Sequence, residues 1–156
     1  MATEPERTPP AAAPLARGGT EVRVRYEETD RAGVGYHSNS IIWFECARTE
    51  LLRDLGVPYR RLEEEGWLLT VTEVSARYFR SVHYDDLLRV DCAITEARGA
   101  RIRIEYEIKG EDAGLRTTGH TELACLDAAT GRPRRLPAAL LAVLGGEHQE
   151  GPSDGR

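Results

Sequence analysis

Several features that define whole classes of protein are missing from this sequence of 156 residues. No stretch approaches the roughly 18 consecutive apolar residues that a membrane-spanning helix requires. Positive charge is not in excess either, because 26 acidic residues outnumber 21 basic ones and give a formal net charge of −5. Such a chain has no basic field to attract a phosphate backbone. We therefore expect neither a membrane span nor a nucleic-acid partner.

Cysteine is scarce, and its three occurrences are widely spaced. Cys46, Cys92 and Cys125 are odd in number and form no CxxC pair, so neither a disulfide framework nor a metal site is indicated. Each cysteine lies in an apolar pattern and is expected to be a small buried hydrophobic residue. This usage favours a cytoplasmic location.

The two ends of the chain differ in composition from its middle. Glu4 and Glu6 precede the only mildly apolar run near the start, which is not the order of a secretory signal. A bias toward proline, alanine and glycine predicts a flexible leader over residues 1–19, and residues 145–156 predict a similar flexible tail. Residues 20–144 suffice for one domain with one core.

One long helix is predicted between two polar segments. Its apolar residues recur at helical spacing, at Ile41, Phe44, Ala47, Leu51 and Leu55. Gly56 and Pro58 mark its end. Before the helix, apolar residues alternate with arginines from Val22 to Tyr26, which predicts a short strand with one buried face.

Four further strands are predicted after the helix. In the first of them the apolar phase shifts between Val71 and Val74, so a bulge is expected there. The other strands are predicted at 88–94, 102–108 and 115–126, followed by a short terminal helix at 137–144. The alternation of apolar and charged residues is clearest in the strands at 88–94 and 102–108.

The order of these elements predicts an α+β fold. The connections near Asp85, Gly99 and 110–114 are too short to hold crossover helices, so the strands form an antiparallel meander. One helix covers such a sheet most economically when the sheet curves around it. The outer edge and far face then need other cover, and we expect at least a homodimer.

The loop before the long helix is the densest group of polar residues in the chain. Gly33 and Gly35 allow it to fold back tightly and bring Asp30 near the start of the helix. Unpaired amides in a first helical turn can stabilise a carbonyl oxygen that gains negative charge. A nearby carboxylate can attack that carbonyl or deprotonate a water. Ser38 or Asn39 can cap the helix. A purely structural interpretation also stands, with Thr29 and Asp30 in a turn and His37 and Asn39 as capping residues.

The string VRYEETDRAGVGYHSNSIIWFECARTELLRDLG resembles the opening motif of the hydroxybenzoyl-CoA and Tol-Pal-associated acyl-CoA thioesterases of the hotdog superfamily. That motif has an aromatic-acidic strand end, Thr-Asp, a glycine turn, Val-x-Tyr-His, Asn, and a helix with Phe-Glu-x-Ala-Arg-x-Glu. In this sequence these features fall at Tyr26–Glu28, Thr29-Asp30, Ala32-Gly33, Val34, Tyr36-His37, Asn39 and Phe44 to Glu50. A second signature follows at RYFRSVHYDDLLRVD, and the similarity covers roughly Glu21 to Leu144.

The resemblance implies a hotdog fold, a curved antiparallel sheet around one long central helix, and hydrolysis of an acyl-CoA to a free acid and CoA. It makes Asp30 the catalytic carboxylate, as nucleophile or general base, and His37 the residue whose backbone amide polarises the thioester carbonyl. No cofactor is implied, since CoA is part of the substrate. Tyr36 and Asn39 are expected to shape the loop and the wall of the site. Tyr78, Phe79 and Arg80 are expected to meet the substrate from the other subunit of a homodimer or homotetramer.

Two departures from the family pattern concern the acyl pocket. Ser40 stands where many relatives have an aromatic residue, and Gly35 replaces a branched aliphatic one, so substrate identity does not transfer. Two alternative functions stay open: hydrolysis of an acyl chain on an acyl carrier protein, and binding of acyl-CoA without catalysis. A pure binder has no need of Asp30, which argues against the second. Glu45 is expected to pair with Arg48 instead of acting in catalysis.

Overall fold

The computed structural model describes residues 13–145. Its strands are β1 (Ala16–Arg23), β2 (Trp67–Tyr78), β3 (Leu87–Arg98), β4 (Arg101–Lys109) and β5 (Leu115–Asp127). Its helices are α1 (Asn39–Asp54), α2 (Tyr59–Glu64) and α3 (Ala138–Val143), with a short 3-10 helix at Tyr26–Glu28. None of these helices has the length and apolar character needed to cross a membrane.

The five strands form one antiparallel sheet in the order β1-β3-β4-β5-β2. Tight turns join β3 to β4 and β4 to β5, and each contains a residue with positive φ, Gly99 at 60° and Ala113 at 59°. The 16-residue helix α1 packs on one face of this sheet. The predicted α+β architecture, a curved antiparallel sheet around one long helix, is confirmed.

The core forms where α1 meets the inner face of the sheet. The Phe44 ring stacks on the Tyr106 ring with centroids 4.4 Å apart, and the Tyr106 hydroxyl pairs with Thr121 Oγ1 at 2.8 Å. Gly119 makes room for this stack, because a Cβ there would lie 2.6 Å from Cε2 of Phe44. A fully buried phenylalanine contributes about 1.5–3 kcal/mol of transfer free energy. This contact therefore fixes α1 on the sheet.

The expected irregularity in the second strand is present. The register of β2 against β5 shifts between Val71 and Glu73, which confirms the bulge predicted from the change of apolar phase. β2 is also an edge strand of the sheet. Its apolar side chains Val71, Val74 and Tyr78 are exposed in the single chain beside only two charged residues, Glu73 and Arg77, so this edge presents apolar surface that a partner could cover.

The first strand differs from its prediction at both ends. β1 begins at Ala16, inside the segment predicted as a flexible leader, and Ala16 pairs with Ile94 of β3. The strand ends at Arg23, and Tyr26 lies in the 3-10 helix instead. The sequence ARGG has no alternation of apolar and polar residues, so only its pairing with β3 makes it a strand. The rest of the predicted leader, 1–12, and the tail from 146 onward lie outside the described residues.

Two smaller expectations are also corrected. Helix α2 was not predicted; it starts after Pro58 and carries ion pairs between Arg60 and Glu64 and between Arg61 and Glu65. Cys92 and Cys125 are buried, as expected, but Cys46 is exposed. It follows Glu45 on the outward side of α1, where an apolar sequence neighbourhood does not mean burial.

Candidate active site

The loop that leads into α1 folds back on itself around Asp30. The Asp30 amide donates to the Val34 carbonyl at 2.9 Å, and the Gly33 amide donates to the Asp30 carbonyl at 2.9 Å. Gly33 has a φ of 80°, a conformation that favours glycine. The Ala32 amide donates to Oδ1 of Asp30 at 2.8 Å. This contact holds one carboxylate oxygen, and no described residue donates to the other.

Glu28 anchors the same loop from beneath and is itself buried. Its carboxylate accepts hydrogen bonds from the Arg25 amide at 2.8 Å and from Nε1 of Trp43 at 3.2 Å. Its carbonyl accepts the Tyr36 amide and Nδ2 of Asn39, both at 2.8 Å. Tyr36 and Asn39 thus shape the loop, as the resemblance implies. The structural roles of Glu28 and Trp43 were not predicted.

A second segment, 79–83, lies against this loop. The Gly35 amide donates to the Val82 carbonyl at 2.8 Å, and Val34 forms an isolated bridge with His83. No side chain fits at Gly35, because a Cβ there would collide with Cγ2 of Val82. The missing bulk noted in the sequence is therefore required by the close approach of the two segments.

These two segments and the start of α1 enclose a cavity of about 370 Å³. It is lined by Asp30, Val34, Gly35, His37, Ser40, Trp43, Tyr78, Phe79, Arg80, Ser81, Val82 and Thr117. Five of the seven predicted site residues are among them. The other two, Tyr36 and Asn39, support the loop from outside the cavity. A volume of this size is typical of small-molecule sites.

The three residues expected from the other subunit lie in the same cavity as Asp30 of their own chain. Tyr78 ends β2 and Phe79 and Arg80 follow it directly. The Phe79 amide donates to the Arg116 carbonyl at 2.8 Å, which extends the pairing with β5. A partner subunit is therefore not needed to bring Tyr78, Phe79 and Arg80 to Asp30.

The start of α1 faces this cavity with an unused donor. Among the described residues, the His37 amide has no protein acceptor. Neither of the two predicted capping interactions is made: Ser38 occupies the N-cap position without a side-chain hydrogen bond, and Asn39 bonds Glu28 instead. An unpaired amide beside a helix N-terminus carries partial positive charge. It can stabilise an oxyanion in the cavity.

A larger concavity of about 850 Å³ lies on the face of the sheet opposite α1. None of the predicted site residues lines it. One of its polar side chains, His120, lies 2.7 Å from both Ser75 Oγ and Glu73 Oε1. The cavity beside Asp30 is smaller, but it combines a carboxylate, a free amide and an apolar wall, which makes it the candidate active site.

Comparison with known proteins agrees with this geometry. Residues 24–144 match the family model described as the thioesterase-like superfamily. The acyl-CoA thioesterase YbgC of Haemophilus influenzae is 36% identical over 124 residues, covering 79% of this chain and 90% of that protein. The acyl-CoA thioester hydrolase YbgC of Escherichia coli O157:H7 is 31% identical over 121 residues, covering 78% and 90%.

A solved structure gives the same result in three dimensions. The DHNA-CoA thioesterase from Staphylococcus aureus superposes with a TM-score of 0.75 at 38% identity, covering 77% of this chain and 80% of that one. Fold and cavity together define a hotdog thioester hydrolase. The chain belongs to the thioesterase-like superfamily, which confirms the resemblance seen in the sequence.

Proposed function

We propose that this protein hydrolyses the thioester of an acyl-CoA and releases the free acid and CoA. The observation that carries the proposal is that the Asp30 carboxylate and the unpaired His37 amide line one cavity. The printed names of the relatives, which are acyl-CoA and DHNA-CoA thioesterases, support CoA as the carrier.

The proposed chemistry starts with the thioester carbonyl oxygen at the His37 amide. Asp30 then either attacks the carbonyl carbon, forming a mixed anhydride that water hydrolyses, or takes a proton from a water that attacks it. In both routes the C–S bond breaks, the thiolate of CoA leaves, and one water is consumed. The Ala32 amide holds one oxygen of Asp30, so the other oxygen can act on the substrate.

The acyl group is proposed to lie against the apolar part of the cavity wall. Trp43, Phe79 and Val82 supply this surface, and Ser40 adds little bulk. Trp43 is fixed by its bond to Glu28, whereas Phe79 is exposed in the single chain. A rigid wall on one side and an exposed one on the other suit a site that is completed when substrate or a second subunit covers it.

A homodimer or homotetramer in the cytoplasm is part of the proposal. The exposed apolar residues Val71, Val74, Tyr78 and Phe79 follow the β2 edge toward the cavity, and covering this edge would bury them. The three cysteines of the described region are all free, which suits a reducing compartment. Light scattering coupled to size-exclusion chromatography measures the oligomeric state.

The first experiment is thiol release from short-chain, long-chain and aromatic acyl-CoA esters, comparing the parent protein with Asp30→Asn. Asparagine can still accept the Ala32 hydrogen bond, so the loop should keep its shape. We expect the variant to lose at least about a hundredfold in kcat/KM with unchanged oligomeric state. Equal activity of both proteins would mean that the assignment of Asp30 to the active site is wrong.

Two further measurements distinguish the proposed function from its alternatives. Acyl carrier protein loaded with the same acyl group tests the carrier, and activity on it alone would replace CoA in the proposal. Tight acyl-CoA binding without any turnover would indicate the non-catalytic function. If turnover occurs, oxygen-18 from solvent found in the Asp30 carboxylate after one turnover would identify nucleophilic attack by Asp30.

A further inference from the structure

Two arginine side chains meet at the turn between β4 and β5. A Cβ on Gly114 would lie 2.8 Å from Nη1 of Arg116 and 2.9 Å from Nη1 of Arg80. Both guanidinium groups therefore approach the same point beside Gly114, where the absence of a side chain leaves them room. Arg116 is held there by a 2.9 Å hydrogen bond from its Nη1 to the Gly114 carbonyl. Two positive groups converge without help from a partner chain.

Asp112 is the acid that offsets them. Its Oδ1 accepts Arg116 Nη2 at 3.0 Å and the Gly114 amide at 2.9 Å, and its Oδ2 lies 3.9 Å from Arg80 Nη1. The Gly114 amide, followed by the two arginines, holds the pKa of Asp112 below its usual value. The cluster thus contains two cations and one acid that lies between them.

The two arginines, Arg80 and Arg116, are matched in number by the two acids of the turn, Asp112 and Glu111, but the ion pairing among them is uneven. Glu111 is the other acid of the turn, and among the described residues it forms no ion pair with either Arg80 or Arg116. Arg80 shares only the distant oxygen of Asp112, and its side chain is 66% exposed. Its guanidinium can therefore accept a second anion.

This turn is continuous with the active-site cavity. Arg80 lines the cavity that contains Asp30, and its amide donates to the Arg116 carbonyl at 3.3 Å. That bond uses backbone atoms, so changes of the two side chains leave it in place. The thioester end of a ligand in the cavity and an anionic group at the turn would thus contact one connected surface.

We propose that Arg80 and Arg116 form the subsite that binds the phosphate groups of the substrate's phosphopantetheine carrier. This inference rests on the proposed function. Arginine suits the role because its planar fork binds phosphate oxygens in pairs. Asp112 occupies the arginines while no ligand is bound and competes with the incoming phosphate. Coenzyme A and acyl carrier protein both present this chemistry, since each joins its pantetheine arm to a phosphate.

The test compares one acyl group on two carriers, CoA and N-acetylcysteamine, the second of which has no phosphate. Arg80→Gln should raise KM for the acyl-CoA about tenfold, because a charge-assisted hydrogen bond is lost. Asp112→Asn should lower KM for the acyl-CoA, because it removes the competing anion. Both effects should be much smaller for the N-acetylcysteamine ester, whereas a general loosening of the site would act equally on the two esters.

The opposite signs of the two effects separate this role from a structural one. A substitution that merely loosens the turn would raise KM for both esters. Arg60→Gln, the same charge change on α2 with a side chain 89% exposed, is the matched control and should leave both KM values unchanged. Binding of free CoA to each protein by calorimetry should follow the same order and weaken with salt.

Failure of this inference is distinguishable from failure of the proposed function. Turnover of both esters with KM values that Arg80→Gln and Asp112→Asn leave unchanged would overturn the phosphate subsite and leave the thioesterase intact. If neither ester is hydrolysed, CoA binding still decides: weaker binding by Arg80→Gln supports the subsite, and unchanged binding overturns it. Acyl carrier protein in place of CoA shows which source of phosphate the site prefers.

Discussion

The hydroxyl of Tyr78 donates a 2.6 Å hydrogen bond to the backbone carbonyl of His37. This bond ties the end of β2 to the residue that precedes α1 and whose amide faces the cavity. The carbonyl and amide of His37 belong to different peptide units, so the bond acts on the orientation of the residue and not on the amide directly. Tyr78 is in this sense a positioning residue.

Replacing Tyr78 with phenylalanine tests this relationship. Tyr78→Phe removes the hydroxyl and keeps the ring, so we expect kcat to fall about five- to tenfold with little change in KM, and stability to fall by about 1 kcal/mol. Tyr59→Phe is the matched control, because the Tyr59 hydroxyl makes only longer contacts with Leu69, at 3.4 and 3.5 Å. A fall in kcat of the same size in both variants would contradict a specific role of Tyr78.

The contact between Gly35 and Val82 gives a second prediction. Gly35→Ala places a Cβ against Cγ2 of Val82 and should displace the segment that includes Phe79 and Arg80. We expect activity to drop by roughly tenfold, and Val82→Ala in the same chain to recover most of it, because removing Cγ2 relieves the clash that the new Cβ creates. The measurement is a double-mutant cycle of kcat/KM.

The single variant Val82→Ala completes that cycle. On its own it should cost stability, since Val82 is buried and deleting a buried side chain leaves a cavity. Additive effects of the two substitutions would show that Gly35 and Val82 do not act through their contact. In that case the glycine would have some other function in the loop.

Much of the fold follows from the sequence because the spacing of apolar residues and the glycines and prolines that end helices are local features. Helix α1 ends at Asp54, close to Gly56 and Pro58, and the β2 bulge falls where the apolar phase changes. The start of β1 could not be predicted in this way, since Ala16–Gly19 becomes a strand only through its pairing with β3. Tertiary partners decide such segments.

The functional site likewise contains residues that a local motif predicts and residues that only the fold brings together. Asp30 and His37 are predicted from the resemblance of the loop motif to a family, since their spacing before the helix also allows a purely structural role. In the sequence Glu28 cannot be told from the other acids of the polar loop. Its buried position depends on a contact with Trp43, which lies 15 residues further on. Arg116 meets Arg80 only because Tyr78 pairs with Thr117 across the sheet. No local pattern predicts contacts of that range.

The packing of Gly119 against Phe44 predicts a stability effect. A Cβ on Gly119 would collide with the Ser75 carbonyl oxygen of β2 and lie 2.6 Å from Cε2 of Phe44, so Gly119→Ala should overpack the core and lower the free energy of unfolding by about 1–3 kcal/mol. Urea denaturation measures the change. Thr118→Ala, on the neighbouring residue whose side chain points to the opposite face of the sheet, should cost less than about 1 kcal/mol. A neutral Gly119→Ala would mean that the Phe44 ring and the β2 backbone at Ser75 both move aside at little cost.

Glu122 gives a prediction about pH. Its carboxylate accepts hydrogen bonds from Arg101 at 2.6 Å and from Arg103 at 3.1 Å, and these two arginines, Arg101 foremost, lower the pKa of Glu122 below its usual 4.5. A lowered pKa in the folded state means that the unfolded chain binds the proton more readily. The contribution to stability is therefore present above pH 4.5 and is lost as pH falls through the lower folded-state value.

Glu122→Gln should accordingly lower the melting temperature at pH 7 and have progressively less effect as the pH is taken below 4.5. Thermal unfolding of parent and variant across this range measures the difference. Glu21→Gln on β1 is the control, because Glu21 is exposed and forms no ion pair among the described residues; it should show no such dependence. A deficit of Glu122→Gln that persists unchanged at low pH would assign the effect to the shape of the side chain, because a charge interaction must disappear once the carboxylate is protonated.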